Sequence, residues 1–370
     1  NGPPMNNAAA LFRPFTIGRL TVPNRIVMAP MTRNFSPDGV PGEDVAAYYR
    51  RRAENGVGLI VTEGTVIDHP ASTDSVRVPR FFGGAALAGW SRVVAAVHAA
   101  GGRIMPQIWH VGMRRAPGTG PFPDAPSVGP SGINAVGEQI SAPLSVSEIE
   151  AIVDAYGRAA GDAERLGFDG VEIHGAHGYL IDQFFWSFTN KRTDDYGGDL
   201  VARTRFGADV VSACRRAVSR DFPVVLRFSQ WKGNHYDAKL VTTPHELERF
   251  LAPLVDAGAD AFHCSTRRFW EPEFAESNLT LAGWTKKLTG KPSIAVGSVG
   301  LTSDFISWFG GTSTTTRGID DLLARLEAGE FDLVAVGRAL IADPAWAIKV
   351  REGRATQIAT FTRELLQTLA

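Results

Sequence analysis

Two histidines and a tyrosine follow a short apolar strand near the middle of the chain. His174, His177 and Tyr179 fall within six residues, directly after Val171-Glu172-Ile173. An imidazole can donate a hydrogen bond or bind a metal ion, and a phenol with a pKa of about 10 can give a proton to a carbanion. Because α/β proteins carry their chemistry at the carboxyl ends of strands, this cluster is the candidate catalytic centre.

The two histidines leave three interpretations open. As metal ligands they need a third ligand, which His110 or Glu172 could supply. The alternative function is then a metal-dependent hydrolase or lyase on a barrel, using His110, His174 and His177. As core residues they have no chemical role. As hydrogen-bond donors they bind a substrate oxygen, and Tyr179 favours this third interpretation because it adds a proton source.

The elements that must position this cluster are short apolar strands alternating with helices. The predicted strands are residues 25–30, 58–63, 103–109, 170–173, 224–228, 261–264, 293–296 and 333–336. The predicted helices are residues 43–54, 85–100, 145–166, 200–219, 244–257, 281–289, 319–328, 343–352 and 360–369. Eight such units in 370 residues favour a closed (β/α)8 TIM barrel. A doubly wound sheet is disfavoured, because the first strand–helix turn, Ala29-Pro30-Met31-Thr32, lacks the glycines of a dinucleotide fingerprint.

Three further segments extend this barrel. Residues 11–24 predict a small hairpin before it, and residues 114–143, rich in Pro and Gly, predict a long loop over the active site. The aromatic residues Phe269 and Trp270 are expected to form a wall or lid of the substrate pocket. Residues 1–4 are interpreted as a cloning remnant, and residues 5–370 as a single domain.

Composition excludes several classes of function. Lys and Arg number 38 against 39 Asp and Glu, which gives a formal net charge of −1. The chain therefore has no excess of positive charge to attract nucleic acid or an anionic membrane. No apolar run approaches the roughly 20 residues that span a bilayer. The two cysteines, Cys214 and Cys264, cannot supply the four thiolates of an iron–sulfur cluster, and they suit a reducing cytoplasm. We therefore expect a cytoplasmic enzyme for a small molecule, as a monomer or homodimer.

Glycines after the last two strands indicate a phosphate site. The residues concerned are Gly297, Ser298, Gly337 and Arg338. Glycines let backbone N–H groups approach an anion, and an arginine adds a bidentate contact. Arg227 lies in a predicted buried strand, so its charge needs a partner. That partner is either a carboxylate, such as Glu63 or Glu172, or an electron-rich ring. The Gln107 amide suits the edge of such a ring, and a satisfied core group is its other interpretation.

The chain resembles the old yellow enzymes, which are FMN-dependent ene-reductases on a (β/α)8 barrel. The most specific match is HGAHGYLIDQFFWSFTNKRTDDYGG, and NRIVMAPMTR, LIVTEG, PQIWHVG and LVAVGRALIADP follow the family's order and spacing. The resemblance implies non-covalently bound FMN, NAD(P)H as reductant, and hydride transfer from flavin N5 by a ping-pong mechanism. The substrates it implies are α,β-unsaturated carbonyl compounds and nitroalkenes.

The resemblance also assigns roles to individual residues. His174 and His177 correspond to the pair that binds the substrate oxygen, Tyr179 to the proton donor, and Trp109 to a residue near the substrate. The implied cofactor contacts are Ala29, Pro30, Met31, Thr32, Gly64, Gln107, Arg227, Gly297, Ser298, Gly337 and Arg338. Thr32 stands where one subgroup carries a cysteine. The loops after the fifth and sixth strands lack the family pattern, so substrate specificity does not carry over.

Overall fold

The fold is a closed barrel of eight parallel strands, seen in a computed structural model that describes residues 8–275, 277–302 and 318–370. The barrel strands are β3 Ile26–Met28, β4 Leu59–Val66, β5 Ile104–Trp109, β6 Val171–His177, β7 Val224–Lys232, β8 Ala261–Ser265, β9 Ser293–Val296 and β10 Leu333–Val336. Strand β10 pairs with β3 and closes the ring. The predicted (β/α)8 barrel is confirmed.

Helices cover the outside of the barrel. Their bounds are α1 Glu43–Glu54, α2 Gly84–Ala99, α3 Val146–Arg165, α4 Leu180–Phe185, α5 Arg205–Ala217, α6 Pro244–Asp256, α7 Leu281–Thr289, α8 Asp320–Glu327, α9 Arg338–Ala342 and α10 Trp346–Arg351. None of the helices in the described ranges is long and apolar enough to cross a lipid bilayer.

Two predicted helices differ from the structure. The segment predicted over 200–219 opens with a 3₁₀ turn, Ala202–Thr204, and becomes α-helical only at Arg205. The segment predicted over 360–369 contains only a 3₁₀ turn, Arg363–Gln367. None of the five residues of this turn is buried, so no packed face stabilises an α-helix there.

A small antiparallel hairpin precedes the barrel, as predicted. Its strands are β1 Phe15–Ile17 and β2 Leu20–Val22. Its apolar side chains belong to the same buried cluster as Val27, Met105 and Val225, which come from β3, β5 and β7. This cluster forms the apolar layer inside the barrel, and the hairpin covers that layer at the end opposite the candidate site.

The long loop before α3 is ordered by a buried arginine. The guanidinium of Arg115 donates to the carbonyl oxygens of Thr119, Phe122 and Ala125 at 2.9, 2.6 and 2.8 Å. Helix α3 then begins with a capping box, in which the Ser145 hydroxyl accepts from the Glu148 N–H and the Glu148 carboxylate accepts from the Ser145 N–H. The loop is therefore tied to defined positions at both ends.

Candidate functional site

A cavity opens where the eight barrel strands end. Its volume is about 580 Å³, within the range of small-molecule sites. Every barrel strand or the turn after it contributes to the lining, through Met31, Gly64, Gln107, His174, Arg227, Ser265, Gly297 and Gly337 among others. The cavity is thus built by convergence of strand ends, which is how barrel enzymes assemble their sites.

Most of the residues predicted from sequence line this cavity. They are Ala29, Pro30, Met31, Thr32, Gly64, Gln107, Trp109, His174, His177, Tyr179, Arg227, Gly297, Ser298, Gly337 and Arg338. Two predicted residues are not part of the lining given by the described chain. Phe269 is buried in the hydrophobic core, and Trp270 packs edge-on against it with ring centroids 5.1 Å apart. The expected aromatic wall is corrected, because these rings find apolar partners below the loop.

The sequence predicts the two histidines directly after a strand. In the structure both lie within that strand, β6. Side chains three residues apart in a regular strand point to opposite faces. The pairing of β6 with β7 shifts between Gly175 and His177, and His177 adopts a φ of +64°. The His177 N–H is bonded to Ser229 Oγ at 2.9 Å. This irregularity brings both rings to the cavity, with centroids 5.1 Å apart and planes at 89°.

Two tryptophans hold the imidazoles in place. Trp109 stacks on His174 with centroids 5.8 Å apart, and Trp231 stacks on His177 at 4.4 Å. Sequence reasoning missed Trp231, because β7 was predicted to end at residue 228 and continues to Lys232. Alternation along the longer strand is the signal that could have found it.

Both histidines are neutral hydrogen-bonding groups. Burial, reinforced by the Arg227 charge, holds the pKa of His174 and of His177 well below the ordinary imidazole value. The Ala176 N–H donates to Nδ1 of His174 at 3.3 Å, so the proton of that ring is on Nε2. Nε2 of His177 lies 2.7 Å from Ser265 Oγ, which also accepts from Arg227 Nη2 at 3.5 Å.

Tyr179 lies against the same group of rings. Its centroid is 5.0 Å from that of His174 and 4.9 Å from that of Trp109. Burial raises the pKa of the phenol, although the Arg114 charge works against this. The guanidinium carbon of Arg114 lies 5.2 Å from the ring centroid. The phenol therefore keeps its proton at neutral pH.

A polar layer crosses the barrel next to the cavity. The carboxylate of Glu172 accepts from Gln107 Nε2 at 2.9 Å and pairs with His263 Nδ1 at 2.7 Å. Burial works against ionisation of Glu172, but His263 and Arg227 outweigh it and lower its pKa. Glu172, one of the two carboxylates considered from sequence, is thus the counter-charge of buried Arg227. With its nitrogen bonded to Glu172, Gln107 offers its amide oxygen to the cavity.

The turns after β9 and β10 leave room for an anion. Gly297 has a φ of +137°, and a Cβ there would lie 2.5 Å from the carbonyl oxygen of Thr266, so only glycine fits. Ser298 has a φ of +55°, and its hydroxyl donates to the Arg267 carbonyl at 3.0 Å. Arg338 lines the cavity beside these turns.

These residues fit a flavin mononucleotide. The Nε atom of Arg227 is buried and has no hydrogen-bond partner within the described residues, so it can donate to a ring edge in the cavity. Gln107 presents an acceptor, which suits an imide N–H. The glycine turns and Arg338 suit a phosphate at the other side.

The metal-dependent alternative is not supported. His110 does not line the cavity, and its Nε2 is 3.0 Å from Nδ1 of His69. Burial lowers the pKa of His69 to about 4 and that of His110 well below its ordinary value, so this pair is neutral. Throughout the described ranges, no group of three His, Cys, Asp or Glu residues could hold a metal ion.

Comparison with known proteins agrees with this geometry. Residues 10–307 match the model of the NADH:flavin oxidoreductase / NADH oxidase family. The chain is 34% identical over 369 residues to an NADH oxidase of Thermoanaerobacter brockii, covering 96% of this chain and 52% of that protein. It is 35% identical over 362 residues to 12-oxophytodienoate reductase 7 of Oryza sativa subsp. japonica, covering 91% of this chain and 86% of that protein.

A solved structure of a reductase is also similar to this chain. Morphinone reductase in complex with tetrahydroNAD superposes with a TM-score of 0.81 at 30% identity, covering 96% of this chain and 93% of that chain. The chain spans about half of the Thermoanaerobacter protein (52%) but nearly all of the reductase structure (93%). The chain therefore belongs to the NADH:flavin oxidoreductase / NADH oxidase family, the old yellow enzymes, which are oxidoreductases that use FMN and a nicotinamide reductant.

Proposed function

We propose that this chain reduces activated carbon–carbon double bonds, in α,β-unsaturated carbonyl compounds and nitroalkenes, with electrons from NAD(P)H. One observation carries the proposal. Two neutral imidazoles and a protonated phenol face the cavity that Arg227 and the glycine turns border. The names of two relatives support it, since each is called a reductase of a small organic molecule.

His174 and His177 bind an oxygen of the carbonyl or nitro group that activates the alkene. Negative charge grows on that oxygen as the distant alkene carbon accepts hydride, and fixed N–H donors stabilise it. Loss of one such donor costs on the order of 10²–10³ in rate in acyl-transfer enzymes. Because both rings are stacked on tryptophans, they need little reorganisation when the charge develops.

Tyr179 gives its proton to the carbon next to the activating group. Its phenol keeps that proton at neutral pH because burial raises its pKa. FMN, when bound, supplies the hydride from its N5 atom. The nicotinamide and the alkene would use the same cavity in turn, which is the ping-pong order.

The proposed cofactor-binding residues form groups according to the part of FMN that each would contact. Gln107 and Arg227 would bind the ring edge, and Thr32 and Gly64 would flank it, since all four line the cavity. Ala29, Pro30 and Met31 would lie behind the ring, while Gly297, Ser298, Gly337 and Arg338 would bind the phosphate, and all of them line the cavity. A buried cation such as Arg227 favours negative charge on the ring, by on the order of 4 kcal/mol at about 4 Å and an effective dielectric of about 20.

The test separates the two half-reactions. Protein loaded with FMN should lose its long-wavelength flavin absorbance on anaerobic addition of NADH or NADPH, and cyclohexenone should restore it. Bleaching that only oxygen reverses would contradict alkene reduction, and a protein that takes up no FMN would contradict the cofactor site.

Tyr179→Phe should separate the two half-reactions further. We expect the alkene step to slow by about 10²–10⁴-fold, because the proton source is gone, while bleaching by NADH continues. Tyr196→Phe is the control, since its hydroxyl bonds to Asp209 at 2.9 Å outside the cavity lining. Stopped-flow absorbance measures both steps, and an equal loss in both would argue against the proton-donor role.

A further inference from the structure

The wall of the cavity is rich in arginine. Four arginines line it, namely Arg114, Arg227, Arg267 and Arg338. No Asp, Glu or Lys occurs among the lining residues of the described chain. The proposed cofactor accounts for Arg227 and Arg338, through its ring and its phosphate. Arg114 has no role in the proposed binding of the cofactor.

The structure holds the guanidinium of Arg114 in one place. It lies over the ring of Tyr179, with its carbon 5.2 Å from the ring centroid. The backbone of Gly233 also lies close to it, since an added Cβ there would collide with Nη1. Any side chain at position 233 would therefore displace the guanidinium. Tyr179 and Gly233 thus both pack against the guanidinium.

Arg114 also lacks an acidic partner. It forms no ion pair with any carboxylate among the residues that the structure describes. It is half-buried, and it lines the cavity. A guanidinium that packs against two neighbours and has no carboxylate paired with it is available to bind a carboxylate in a bidentate manner.

We propose that Arg114 binds a carboxylate carried by the alkene substrate, attached on the side of the carbon that receives the proton. This inference rests on the proposed function. Arg114 contacts Tyr179, so a group bound to Arg114 lies beside the carbon that Tyr179 protonates. The phosphates of NAD(P)H are the other anions that Arg114 could bind. The substrate is favoured because Tyr179 acts in the alkene step alone.

A matched pair of substrates tests the assignment. One is a cyclohexenone with a propanoate chain on the carbon next to the carbonyl, and the other is the methyl ester of the same compound. A charge-assisted bidentate contact corresponds to a preference for the acid of roughly 10- to 100-fold in kcat/KM. We expect this preference chiefly in KM, because the contact is made in the bound substrate as well as in the transition state.

Arg114→Met should reduce the acid-to-ester ratio towards one, and Arg114→Lys should restore part of it, because the charge returns without the bidentate fork. Arg92→Met is the control, since Arg92 is exposed on α2 and should leave the ratio as it is. Dissociation constants of both compounds, read from the flavin spectrum of the oxidised protein, should show the same pattern without turnover.

Three results would overturn the inference. The first is an unaltered protein that does not prefer the acid. The second is an equal loss for acid and ester in Arg114→Met, which would mean that Arg114 only orients Tyr179. The third is a slower flavin reduction by NAD(P)H with the acid preference unchanged, which would assign the anion to the nucleotide. If NADH bleaches the flavin but neither alkene restores it, the proposed function fails, and the binding measurements still decide the role of Arg114.

Discussion

At the scale of single residues, Ser265 determines what His177 can offer to a substrate. Arg227 can only donate, so the Ser265 oxygen accepts from it at 3.5 Å. Among the described residues the serine hydroxyl has no other acceptor, so its proton is directed at Nε2 of His177, 2.7 Å away. With Nε2 accepting, the ring proton is on Nδ1, and His177 becomes a donor towards the cavity. Sequence reasoning overlooked Ser265, although it lies two residues after inward-facing His263 on β8.

Ser265→Ala should therefore weaken the binding of an oxyanion at the histidine pair. Without the serine proton the ring can adopt the other tautomer, and its donor turns away. We expect phenol, whose oxygen would take the place of the substrate oxygen, to bind about 5- to 10-fold more weakly, which corresponds to one hydrogen bond. Titration of the oxidised flavin spectrum measures this. Ser265→Thr should bind normally, and Ser293→Ala, which removes a buried hydroxyl from β9, should do so as well. Unchanged phenol binding in Ser265→Ala would remove the tautomer argument.

At the scale of elements, a buried ion pair fixes the turn that carries the catalytic residues. Lys232 at the end of β7 donates to the Asp182 carboxylate of α4 at 2.8 Å, and both side chains are fully buried. The other carboxylate oxygen of Asp182 accepts from the Gly178 N–H at 2.8 Å. The pair thus joins β7 to α4 and encloses the turn from His177 to Tyr179.

Lys232→Met should be strongly destabilising, because it leaves the Asp182 charge buried without a partner. Removing one member of such a pair costs about 3–5 kcal/mol. Adding Asp182→Asn should recover much of this loss, since the amide oxygen still accepts from Gly178 without a charge. Urea unfolding of the three proteins measures the effect. A cost below about 1 kcal/mol for the single change would show that water or another group compensates the charge.

The sequence predicted those parts of the fold that local patterns determine. Each buried strand is a short apolar run, so the strands were found in the right order and the residues at their ends converge as expected. The irregular part of β6 was not predicted, because the positive φ of His177 depends on its bond to Ser229 in another strand. Arg114 was missed for a related reason. Its position depends on the chain folding Gly233 against it, and no local pattern reports that contact.

At the scale of the whole molecule, buried ionisable groups connect stability to pH. Burial lowers the pKa of five histidines. That of His69 falls to about 4, those of His110, His174 and His177 lie well below the ordinary value, and that of His263 is also lowered. A histidine with a depressed pKa is neutral in the fold and takes up a proton on unfolding. Its stabilising effect is complete above the unfolded pKa of about 6.5 and is lost as the pH falls. Glu63 acts in the opposite direction, because burial raises its pKa to about 7.

The two kinds of group can be separated by single substitutions. When the pH falls from 7.5 to 5.5, each neutral histidine should lower the free energy of unfolding by roughly 1 kcal/mol. Glu63 should raise it by roughly 2 kcal/mol, because its carboxylate takes up a proton in the folded protein. With five such histidines, the protein should be less stable at the lower pH. His69→Gln should make this loss smaller, and Glu63→Gln should make it larger, because the favourable contribution at low pH disappears. Urea midpoints at the two pH values, with FMN in excess, measure the differences, and a shift of the same sign in both variants would contradict the opposed charges.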